Sequence, residues 1–62
     1  MTYDIVKEHC PRAFKIIETP DFFQAFYSVG VGYGEVRHFS PHNDFAGICA
    51  LEGKVVILFL KG

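Results

Sequence analysis

The chain has no tryptophan, only two cysteines, no dominance of one charge sign and no long uninterrupted hydrophobic run. Each shortage excludes something. Cys10 and Cys49 stand far apart with no CxxC pair, so neither a disulfide framework nor a recognisable zinc module is written here. Free thiols and a cytoplasmic setting are the reading. Six Lys and Arg against seven Asp and Glu leave a formal charge of -1, which does not suit a general polyanion-binding surface. The most apolar segment, Val55 to Leu60, falls well short of a membrane span, and extending it back to Phe45 brings in Glu52 and Lys54. The opening Met1-Thr2-Tyr3-Asp4 has no basic leader, so a soluble, non-secreted protein is expected.

What the sequence has is aromatic and aliphatic mass. Seven Phe, three Tyr and a 50% hydrophobic composition within 62 residues argue for one folded domain spanning 1–62. At this size burial only narrowly outweighs ordering entropy, which makes extra burial against a second subunit attractive.

Hydrophobic spacing predicts the elements. Thr2 can cap a helix over about Tyr3 to Cys10, with Ile5, Val6, His9 and Cys10 on one broad face and Pro11 as the stop. The stretch Arg12 to Glu18 fits a helical stripe or a strand, and its two isoleucines and flanking prolines favour the strand. Thr19-Pro20-Asp21 has the chemistry of a helix start, and Phe22, Phe23, Phe26, Tyr27 and Val29 then form a 3.6-residue stripe that Gly30 would end. From Tyr33 to Phe39 the period changes to two, predicting a strand with a mixed face, followed by a turn over Ser40 to Asp44. The last segment reads as two strands joined at Glu52-Gly53. Val55 to Leu60 is apolar on both faces, as an interior strand would be if covered by a helix on one side and another subunit on the other. The expected fold is α+β, with two short helices packed on a small mostly antiparallel sheet of three to four strands, in the order helix, strand, helix and three strands.

The glycine-rich stretch Ser28 to Phe39, SVGVGYGEVRHF, invites three chemical readings. Its Val31-Gly32-Tyr33-Gly34, preceded by Pro20, Phe22 and Phe23 and followed by Glu35, resembles a potassium-channel pore over roughly Thr19 to Glu35. That resemblance implies a carbonyl-lined ion path. Gly30 stands where the family commonly has Thr, and neither flanking membrane helix is present, so four such loops would have no scaffold in a bilayer. A phosphate cradle needs glycines leading into a helix, often with Lys, Ser or Thr nearby, whereas these follow the expected helix. The third reading is conformational: Gly30 as a helix C-cap, with Gly32 and Gly34 allowing a twist or bulge.

Among chemically capable side chains, His9, Cys10, His38, His42 and Cys49 have no metal-ligand spacing, although His38, His42 and Asp44 could approach one another across the turn. Cys49 with His38 or His42 comes nearest to a nucleophile and base pair. It lacks an orienting third group, and Cys49 within Ala-Gly-Ile-Cys-Ala-Leu reads as a buried strand residue. Glu35, Glu52 and Asp44 fall into no acid and base pairing. No cofactor, metal or catalytic residue is therefore expected. The group Tyr33, Arg37, His38, Phe39 and His42 combines stacking surface with modest positive charge and is the expected partner-binding site. The function that emerges is a small protein-binding or regulatory module, inhibitory in one version, self-associating as a homodimer or other homo-oligomer. Single-stranded nucleic-acid binding is the alternative.

Overall fold

In the computed structural model, the described residues are 1–39 and 44–61, with side chains described for all of these except 36–39. The elements run α1 (Tyr3–His9), β1 (Lys15–Glu18), β2 (Phe22–Ser28), α2 (Val29–Phe39), β3 (Phe45–Leu51) and β4 (Lys54–Leu60). The four strands form one antiparallel sheet in the order β1-β2-β4-β3, and two short helices complete an α+β architecture.

The first helix follows its local signals. Thr2 adopts an extended conformation and its Oγ1 accepts from the Ile5 N–H at 3.4 Å, while Asp4 sits beside the exposed amides of the first turn. Its buried face is narrower than its apolar pattern: Val6 and the C-capping Cys10 are inside, whereas Ile5 and His9 are exposed.

Two elements exchange identity. The aromatic segment expected as a helix is β2, and the glycine-rich segment expected as a strand from Tyr33 to Phe39 is the body of α2. The reason is non-local. A seven-residue β4 that is apolar from Val55 to Leu60 needs a long hydrogen-bonding neighbour on each side, and β2 supplies one by pairing along its full length from Phe22 with Leu60 to Ser28 with Lys54. Thr19-Pro20-Asp21 then serves a hairpin instead of a helix. The Thr19 hydroxyl accepts from the Phe22 N–H at 3.0 Å and donates to the Phe22 carbonyl at 3.1 Å, closing the β1–β2 turn with the chemistry that would otherwise cap a helix. The second hairpin is as expected. Glu52 and Gly53 have φ of 52° and 75°, the paired left-handed conformation of a two-residue turn matched to strand twist. The turn expected over Ser40 to Asp44 lies, apart from Asp44, outside the described residues.

Both helices lie on one face of the sheet. There Phe23, Ala25 and Tyr27 of β2 meet Val55, Ile57 and Phe59 of β4, and Val6 and Cys10 of α1 close the cluster. Gly32 is the contact that lets α2 join it. A Cβ at that position would fall 2.5 Å from Val55 Cβ and 3.1 Å from Tyr27 Cβ, so only glycine permits this approach. Gly30 and Gly34 point to open space, as residues half a helical repeat from an inward position must. Arg12, in the turn between α1 and β1, pairs with Glu35 of α2 at 3.4 Å and links the two helices across the same layer.

Candidate interaction surface

Antiparallel register sorts every strand residue onto one of two faces, because directly paired residues project to the same side. With Phe23, Ala25, Tyr27, Val55, Ile57 and Phe59 facing the helices, the opposite face follows row by row. Lys15, Phe26, Val56 and Cys49 form one row, Ile17, Gln24, Leu58 and Gly47 the next, Phe22 and Leu60 a third, and Ser28, Lys54 and Leu51 the last. Among the described residues no helix covers this face.

This surface is strongly apolar. Leu51 and Leu60 are 54% and 44% exposed, and Phe14, 55% exposed, leans on Phe26 with ring centroids 6.4 Å apart. The Lys15 ammonium lies 5.9 Å from the centre of the Phe26 ring, its stem shielding part of the ring. Val56 is buried with no helix above it, since taller neighbours surround it on the central strand. The face is not a symptom of loose folding: the radius of gyration, 10.2 Å, matches the roughly 10.6 Å expected for a compact domain of this length.

Its charges lie toward the two ends, with Glu52 in the turn beside Lys54 and Lys61 in the same cleft as Asp21 and Asp44. Lys15 and Lys54 lie at the end where β1 and β4 begin. At the other end Asp21 and Asp44 flank Leu60, their carbonyls accepting from the Lys61 and Leu60 N–H groups at 3.1 and 2.8 Å.

A second, polar feature lies in the helical layer. A cleft of about 450 Å³ is lined by Glu8, His9, Pro11, Arg12, Gly34 and Glu35. In the neighbouring core the Tyr27 hydroxyl is buried without a hydrogen bond of good geometry, its polar neighbour being the Cys10 thiol, a weak acceptor. Burial is the main cause that raises both the Cys10 and Tyr27 pKa values above their ordinary range, with the Glu35 charge adding to each. Both groups are therefore held in their neutral, protonated forms at physiological pH.

The residues expected to bind a partner sit elsewhere. Tyr33, Arg37, His38 and Phe39 belong to α2, where a helical period replaces the alternation that grouped them, and His42 lies outside the described residues. Tyr33 is 57% exposed. The Val31-Gly32-Tyr33-Gly34 stretch is helical, so its backbone does not form the extended carbonyl ladder of a channel filter. Among the described residues, no helix is long and apolar enough to cross a membrane, and no group of three or more His, Cys, Asp and Glu could hold a metal. Cys49, read as a buried strand cysteine, is exposed because its strand is an edge and its face is uncovered; Cys10 is the buried thiol, and both are free. Sequence reasoning passed over Phe22, Phe26 and Leu60 as surface residues, although the two-sided apolarity of Val55 to Leu60 was the signal for them. No protein-family model, curated protein or solved structure matches the chain.

Proposed function

We propose that the chain is a small protein-binding module that works through the uncovered face of its sheet. One observation carries this reading: a compact domain presents Phe14, Phe22, Phe26, Leu51, Leu58 and Leu60 on a single surface, with charge confined to the two ends. An apolar centre with a charged perimeter is the anatomy of a protein interface. The regulatory or inhibitory character expected of so small a domain would follow from occupying a partner's own apolar surface. Tyr33 and the other α2 residues lie in the opposite layer, so a partner using them would contact a separate surface.

Single-stranded nucleic acid is the competing occupant, because bases can stack on Phe14 and Phe26 beside Lys15 and Lys54. Two lysines within a chain of net charge -1 make a poor phosphate track. A photo-crosslinking residue at position 58, compared in cells with one at the exposed α1 position 4, tests the proposal. Protein adducts specific to position 58 are the expected result; nucleic-acid adducts there, or no difference between the positions, would overturn it.

A further inference from the structure

The occupant of the uncovered face, we infer, is a second copy of this chain, packed sheet against sheet about a two-fold axis that lies between the sheets and runs perpendicular to the strands. The inference rests on reading that face as a protein-binding surface, and it names the partner.

Area supports a second copy. Three seven-residue strands and the four-residue β1, about 4.8 Å apart and rising about 3.3 Å per residue, outline a face of about 400 Å² in projection. That is about a tenth of the 3985 Å² the chain exposes, the share that a small protein contributes to a stable interface. The pair would bury about 800 Å² before the relief of the side chains is counted, about two thirds of the roughly 1,200 Å² at the lower end of specific interfaces. Shape agrees, because a twisted sheet is the natural complement of another, the two packing about 10 Å apart with strands inclined near 30°.

Charge selects the axis. An isologous interface must complement itself. With an axis parallel to the strands, β1 would face β3 and β2 would face β4, so the end carrying Lys15 and Lys54 in one copy would overlie the same end of the other. An axis perpendicular to the strands places this basic end over the end carrying Asp21 and Asp44. Opposite charges then meet at both rims while Val56, Leu58 and Phe26 fill the centre.

Cys49 supplies a reporter in the unmodified protein. It lies in the same row as Val56 and Phe26, it is exposed in a single copy, and Cys10 is buried. Sedimentation and maleimide labelling of the purified chain between about 1 and 100 µM should show a dimer forming as Cys49 labelling slows at least about tenfold. L58E should remain monomeric and label fast at every concentration. K54E and D21K should each weaken the dimer about fivefold or more, and the K54E/D21K double variant should recover most of that loss. The wild-type labelling does not depend on any variant folding.

A wild-type chain that stays monomeric with a reactive Cys49 at 100 µM overturns the inference. A dimer in which Cys49 stays reactive also overturns it, since the copies would then meet elsewhere. Should the purified chain be monomeric while the position-58 crosslinker captures a different protein, the face remains a protein-binding surface and only its occupant changes. Protection of Cys49 by a single-stranded oligonucleotide in place of dimer formation would overturn both proposals.

Discussion

The two faces of the sheet are built from the same strands and nearly the same residue types, yet they differ in what covers them. On one, Phe23, Tyr27, Ile57 and Phe59 are sealed by two helices, one brought close by Gly32; on the other, Phe22, Phe26, Leu58 and Leu60 meet no helix among the described residues. Hydrophobicity therefore sets where burial is demanded, while coverage sets whether the chain meets that demand alone. The helical face carries stability, and the open face is where we propose that association occurs.

The strongest way to break this comparison is to truncate matched phenylalanines. Phe59→Ala should cost about 3–5 kcal/mol in denaturant unfolding, because Phe59 is fully enclosed. Phe22→Ala, measured at dilutions where the chain is monomeric, should cost less than about 1 kcal/mol. Similar losses at the two sites would mean that the open face is also part of the folding core.

A single substitution type sharpens the comparison within α2. Gly32→Ala forces a methyl into Val55 and Tyr27 and should destabilise by about 1–3 kcal/mol, whereas Gly34→Ala meets nothing and should stabilise by up to about 1 kcal/mol through helix propensity. Thermal melts of the two variants should move in opposite directions.

Alkaline titration probes the covered face alone. Burial favours the neutral Cys10 thiol and Tyr27 phenol, so their folded pKa values exceed the ordinary 9.0 and 10.0, and the folded chain keeps protons that the unfolded chain releases. Stability should be level in this respect below pH 9 and then fall as pH rises, by up to about 1.4 kcal/mol per pH unit for each group, until the folded pKa is passed. Tyr27→Phe removes the later component and an unpartnered buried hydroxyl, so unfolding measured against pH should show a shallower alkaline decline. The smallest effect belongs to the open face: Cys49→Ser should change monomer stability by less than about 0.5 kcal/mol.

The Thr2 cap, Pro11, the Glu52-Gly53 reversal, the interior β4 strand and the α+β class were legible because each rests on chemistry within a few residues or on plain composition. The identities of β2 and α2 were not. Phe22, Phe23, Phe26 and Tyr27 satisfy a helical stripe as well as a strand, and the choice between them came from pairing with β4, more than twenty-five residues away in sequence. The consequence for function is direct. As a helix stripe those aromatics would all face inward and leave no surface to explain; as a strand they divide, with Phe23 and Tyr27 entering the core and Phe22 and Phe26 joining the open face. Gly30, Gly32 and Gly34 show the same division in α2. Their propensity disfavours a helix by about 1 kcal/mol each, and the tight seat of Gly32 on Val55 and Tyr27 overrides it. Local residue chemistry thus settled the caps, the turns and the need for a buried strand, since those depend on neighbours in the chain. Long-range strand pairing assigned the aromatics and glycines to their elements and left one face open, because that choice depends on residues meeting across the fold.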